Sequence, residues 1–152
     1  MHCIRCGGCC NSFSMTKKQV LRILVYLQIN PEVMENLKQT SEVKGIPDVC
    51  PFLRGTIGNT YCTIYPVRPE ICQVFGTGGV NGLECPNGTV TDKYSAIEAE
   101  EIINKVYNVS EDNVGRYEEF FRYIIRTIPT DSEERCFEFF KYIFEIFNSS
   151  KI

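Results

Sequence analysis

Between residues 20 and 29 the apolar positions are Val20, Leu21, Leu24, Val25, Leu27 and Ile29. Steps of three and four lay a stripe along a helix, where a strand would alternate. Thr16 followed by Gln19 makes a capping box, so the pattern predicts a helix entered at Thr16 and ending near Asn30. Asn30-Pro31 then supplies an N-cap and a first-position proline for a short helix through about Lys38. From Cys50 to Pro86 prolines and glycines are dense, which leaves room for a small hairpin over 52–64 turning at Gly58-Asn59 and two helical turns over 68–75. Helical spacing returns after Thr91 in Ile97, Ile102, Ile103 and Val106. Val114, Tyr117, Phe120, Phe121, Ile124, Ile125 and Ile128 predict a helix beginning near Ser110. Thr130 with Glu133 predicts the cap of a last helix whose Phe137, Phe140, Ile143, Phe144 and Phe147 point inward.

The expected fold is mainly α: a small, irregular, cysteine-rich region with a short hairpin, packed against a helical bundle. Residues 1–152 are expected to form a single domain, with 1–90 as its cysteine-rich part and 91–152 as its helical part. At 152 residues with 43% hydrophobic and 12% aromatic side chains, the chain has enough apolar material for one core. A formal charge of −3 offers no general cationic field, which disfavours nucleic acid. No long apolar run predicts a membrane span, and the opening Met1-His2-Cys3 lacks the form of a secretory signal. A cytoplasmic location is therefore the expectation.

In that compartment nine cysteines point to metal ligation before disulfides, because cellular reductants keep thiols apart. Cys3, Cys6, Cys9 and Cys10 open the chain, and Cys50, Cys62, Cys72 and Cys85 occupy its middle. Cys3-x2-Cys6-x2-Cys9 lets successive thiolates curl around one centre, and matches the run that wraps a cubane iron–sulfur cluster more closely than the separated pairs of a zinc ribbon. Gly7 and Gly8 permit the tight loop such wrapping needs. The later four, separated by 11, 9 and 12 residues, have to be gathered by the fold. Eight thiols allow two four-cysteine zinc sites, or one four-iron cluster with four cysteines left over. Cys136 sits at helical spacing with Phe140 and Ile143 and reads as a core thiol.

Cys3-Ile4-Arg5-Cys6-Gly7-Gly8-Cys9-Cys10, then Cys50-Pro51-Phe52-Leu53, then Cys62-Thr63-Ile64-Tyr65-Pro66-Val67-Arg68-Pro69-Glu70-Ile71-Cys72-Gln73-Val74-Phe75 and a further Cys85 resemble the CxxCxxCC family, also called the YkgJ-type cysteine cluster proteins. The resemblance covers roughly Cys3 to Cys85 and implies a zinc- or iron-chelating domain related to flagellin lysine N-methylase. It implies Cys3, Cys6, Cys9, Cys10, Cys50, Cys62, Cys72 and Cys85 as metal ligands. Gln73 departs from the arginine common there, leaving Arg68 as the nearby cation.

Arg68 is a candidate hydrogen-bond donor to thiolate or sulfide, with packing of its stem on Tyr65 as the alternative. Tyr65 and Phe75 read as packing residues. His2 is the single histidine and a weaker candidate ligand. The pairs Glu98 with Glu101 and Glu118 with Glu119 read as solvated helix faces. No phosphate-binding glycine loop or Ser-His-Asp set is present. The leading reading is a metal-binding protein holding an iron–sulfur cluster, of the [4Fe–4S] type, or Zn²⁺, with no catalytic residues, and with the helical part available to a protein partner. An iron–sulfur-dependent protein methyl-transfer enzyme, suggested by the resemblance, and a structural zinc module are the alternatives.

Overall fold

Strand β1 (Ser14–Met15) leads directly into helix α1 (Lys17–Ile29) in a computed structural model that describes residues 14–46, 49–75, 85, 93–107 and 115–149. The capping box forms as the sequence requires: Gln19 N donates to Thr16 Oγ1 at 3.2 Å, and Thr16 N donates to Gln19 Oε1 at 2.9 Å. Val20, Ile23, Leu24 and Leu27 are wholly buried, whereas Val25 and Ile29 are exposed. Helix α2 (Pro31–Gln39) follows at once. Asn30 is its N-cap residue, but the Asn30 side chain turns back and Nδ2 donates to Tyr26 O at 2.8 Å.

The hairpin consists of β2 (Leu53–Thr56) and β3 (Asn59–Cys62), with Leu53 opposite Cys62 and Thr56 opposite Asn59. Its two connecting residues are Ile57 and Gly58, one position earlier than the turn expected. Gly58 has φ +90, so the left-handed position falls on the glycine. Gly55 has φ +95, and a Cβ there would lie 2.4 Å from Asn59 O. Gly55→Ala should therefore lower the melting temperature more than Gly58→Ala, which meets no atom within 4 Å. Both carry a left-handed strain of roughly 1–2 kcal/mol. Equal losses in thermal unfolding would contradict this packing of the hairpin.

After a 3-10 turn (Tyr65–Val67) comes the short helix α3 (Glu70–Val74). Pro69 separates these two pieces, and the two turns expected over 68–75 shorten to Glu70–Val74. Helix α4 (Ala96–Tyr107) is capped by Ser95, whose Oγ accepts from Glu98 N at 3.1 Å. Ala99 on α4 is buried with Ile71 and Val74 of α3 in a small apolar cluster, while Ile97 is exposed.

Strand β4 (Gly115–Arg116) pairs antiparallel with β1, Ser14 opposite Arg116. Helix α5 (Glu118–Thr127) starts only after that strand, later than the start near Ser110 that periodicity suggested. Tyr117, Phe121, Ile124 and Ile128 of the apolar stripe are buried, Val114 lies outside the described residues, and strand pairing takes the backbone at 115–116. Helix α6 (Glu133–Ser149) is capped by Ser132, whose Oγ accepts from Arg135 N at 3.3 Å, and not by Thr130. Phe140, Ile143 and Phe147 are buried, whereas Phe137 is exposed.

Helices α1, α2, α5 and α6 share one core with Phe52 and Ile64 from the hairpin region. The Phe52 and Phe121 rings meet edge to face with centroids 4.8 Å apart. That contact docks the cysteine-bearing hairpin on the bundle, and the fold is mainly α as expected.

Candidate metal centre

The register of the hairpin brings two cysteines to one end. Cys50 opens the turn leading into β2, closed by Leu53 N donating to Cys50 O at 3.1 Å. Cys62 ends β3 directly opposite Leu53. Burial pushes the Cys50 thiol from its ordinary 9.0 up to about 12, and the neighbouring charge of Cys62 adds to that rise. The backbone N–H of Phe52, bonded to the Cys50 sulfur, opposes it. Burial likewise raises the Cys62 thiol, against the Ile64 N–H and the charge of Arg68. Each sulfur thus receives a main-chain donor from two residues onward, a local geometry that stabilises thiolate.

A thiol held protonated by the fold but free to ionise when unfolded favours the folded state only below its unfolded pKa. The metal-free protein should therefore lose stability as pH rises from 9.0 towards about 12. Urea unfolding at rising pH should show this fall for the metal-free wild type and a shallower one for Cys50→Ala. Identical slopes would contradict the burial of the Cys50 thiol.

The main chain on both sides of Cys50 is held by guanidinium groups. Arg122 Nη2, from α5, donates to Val49 O at 2.8 Å. Arg54 Nη1 donates to Pro51 O at 2.7 Å and to Leu53 O at 3.0 Å, while its Nη2 and Nε reach Leu37 O and Thr40 Oγ1. Arg54 is 2% exposed, and all four of these acceptors are uncharged. Arg122 is also paired with Glu42 at 2.9 Å and with the exposed Glu119 at 2.8 Å.

Arg68 stands 3.8 Å from the centre of the Tyr65 ring, and its Nε donates to Tyr65 O at 3.2 Å. It is thus the guanidinium, and not the stem, that lies over the Tyr65 ring, while its charge is also felt by Cys62. Gln73 Nε2 donates to Arg68 O at 2.9 Å, which ties α3 to the end of the 3-10 turn. Cys72 lies on α3, half-buried beside the cluster of Ile71, Val74 and Ala99. Cys85 is half-buried as well. Cys136 packs against the main core, as its spacing suggested, and burial raises its thiol. Cys3, Cys6, Cys9 and Cys10, together with His2, Gly7 and Gly8, lie outside the described residues. Among the described residues no group of three or more Cys, His, Asp or Glu gathers around one point. The structure brings Cys50 and Cys62 together.

Glu98, Glu101 and Glu119 are exposed, and Glu118 is paired with Arg116 at 3.1 Å. Among the described residues no helix is long and apolar enough to cross a membrane. Arg54, Arg122 and Glu42 were missed by sequence reasoning. Arg122 is 73 residues from the carbonyl it holds, and no local spacing signals that contact. Arg54 follows buried Leu53 in the strand and is itself buried, which breaks the alternation that would have placed it outside.

The CxxCxxCC family model, described as "Putative zinc- or iron-chelating domain", matches residues 2–94. "Uncharacterized protein MJ0661" of Methanocaldococcus jannaschii is 37% identical over 79 residues, covering 48% of this chain. The alignment covers 42% of MJ0661, so the chain spans less than half the length of that relative. No solved structure matches the chain. With Cys50 and Cys62 placed at the same end of the hairpin and the family model extending over more than half of the sequence, the chain belongs to the CxxCxxCC family.

Proposed function

We propose that this protein binds metal as an iron–sulfur cluster of the [4Fe–4S] type. The candidate ligands are drawn from Cys3, Cys6, Cys9, Cys10, Cys50, Cys62, Cys72 and Cys85. The observation that carries the reading is the pair Cys50 and Cys62, adjacent at the hairpin end, each sulfur facing a backbone N–H. Two converging thiols with amide donors and nearby guanidinium groups suit an anionic metal–thiolate centre, so the residues fit the group. The Cys3-x2-Cys6-x2-Cys9 run favours iron–sulfur over zinc. Bound there, a cluster would supply one-electron exchange.

The chain's own residues do the rest. Phe52 and Ile64 N–H groups stabilise the thiolates, the hairpin fixes their separation, and the bundle shields them from water through Phe52. We read the whole chain as one unit, because Phe52–Phe121 packing and the Arg122–Val49 bond join its two parts. A reducing, cytoplasmic setting agrees with reliance on thiols.

Anaerobic incubation of the purified chain with iron and sulfide should produce a brown protein with broad visible absorbance. A colourless protein that takes up zinc stoichiometrically, and no iron, would replace the cluster with a structural zinc site.

A further inference from the structure

Helix α5 lies wholly beyond residues 2–94, yet one of its side chains reaches the turn that carries Cys50. Arg122 holds the carbonyl before that cysteine, and Arg54 holds the carbonyl after it. The two guanidinium groups come from opposite sides, one from the bundle and one from the hairpin. Glu42 is the carboxylate between them, engaged by Arg122 through Nε and Nη2 at 2.9–3.2 Å. Arg54 has no carboxylate within ion-pair distance among the described residues. A guanidinium buried on neutral carbonyls is fixed in place, and the Glu42 carboxylate acts on it only from beyond ion-pair distance, while Arg122 engages that carboxylate directly, so the burial cost of the Arg54 charge is offset only in part. A negative centre beside it would offset that cost.

We propose that Arg54 and Arg122 are positioning residues for the Cys50 ligand, fixing its turn from both sides and supplying positive charge to the anionic metal–thiolate centre. This rests on the metal reading above. The helical part then serves the metal directly, by sending Arg122 to the Cys50 turn, and does more than complete a core. Glu42 acts against it, since its carboxylate cancels part of the positive charge beside the sulfur.

Cobalt(II) titration of the full chain under anaerobic conditions tests this, because thiolate-to-cobalt absorbance reports sulfur ligation directly. Arg122→Gln should weaken cobalt affinity roughly ten- to hundred-fold while the helical circular dichroism is kept. Arg122→Lys should recover part of the loss, and Arg54→Lys should weaken binding. Glu42→Gln should bind as tightly as wild type or more tightly. Arg135→Gln, which removes the exposed pair with Asp131 on α6, should change nothing.

Folded Arg122→Gln and Arg54→Lys proteins with wild-type affinity would overturn the proposal. So would a loss in Glu42→Gln as large as that in Arg122→Gln, because a purely structural network predicts both. Should Arg122→Gln fail to fold, Glu42→Gln and Arg54→Lys decide by the same signs. Absence of thiolate-to-cobalt absorbance in the wild type, together with no uptake of iron and sulfide, would instead remove the metal reading, and is recognised before any variant is compared.

Discussion

Cys62→Ser is expected to abolish stoichiometric metal binding and to loosen the hairpin, while Cys136→Ser retains the metal. The sulfur of Cys62 ends the strand opposite Leu53 and shares the hairpin end with Cys50. Serine keeps the size and loses the thiolate, so the ligand is removed with little change in packing. Binding free energy at such a site is also folding free energy, of about 10–16 kcal/mol for structural zinc in small metal-binding peptides. The hairpin and the 3-10 turn after it bury few large side chains of their own, so losing the metal should show first there. Hydrogen exchange of residues 50–75 should accelerate in Cys62→Ser more than that of α1 or α6. Cys136 packs on the core among the bundle helices and lies on α6, so its substitution acts through packing alone.

Phe121→Ala should have the largest effect on the metal-free fold. Phe121 is 1% exposed, meets Phe52 at 4.8 Å and Phe120 at 5.6 Å, and stands where the hairpin docks on α5. Truncating a buried phenylalanine costs about 3–5 kcal/mol. For a chain of this size that corresponds to a fall in melting temperature on the order of 10 °C. Tyr123→Ala, on the same helix but exposed, should change stability far less. Comparable losses in the two variants, followed by chemical denaturation, would contradict the assigned core.

Much of this architecture was legible in the sequence because its signals are local. The Thr16–Gln19 box, Pro31 at the first position of α2, and the Phe140–Ile143–Phe147 stripe each depend on residues three or four apart. What failed was non-local. The start of α5 moved because residues 14–15 pair with 115–116, a partnership about a hundred residues long in sequence. Phe137 was expected inside by spacing, but faces solvent because a helix buries only the stripe its neighbours cover.

The site divides in the same way. Cys50-Pro51-Phe52-Leu53 and Cys62 stood out through the family resemblance, since their spacing alone was too wide to form a site, and the hairpin places those two cysteines at one end. Their charged surroundings were invisible, since Arg122 and Glu42 arrive from α5 and from the segment after α2. A one-dimensional pattern marks candidate ligands where metal geometry restricts local spacing, as in Cys3-x2-Cys6-x2-Cys9. It carries second partners poorly, because any distant guanidinium can serve.

The most direct test of the central claim is the iron, zinc and acid-labile sulfide content of the full chain purified without oxygen, measured beside Cys62→Ser. Iron and sulfide are expected in equal amounts at a fixed ratio to the chain in the wild type, and are expected to be lost in the variant. A wild-type protein free of transition metal, or one whose metal content is unchanged by Cys62→Ser, would contradict that claim.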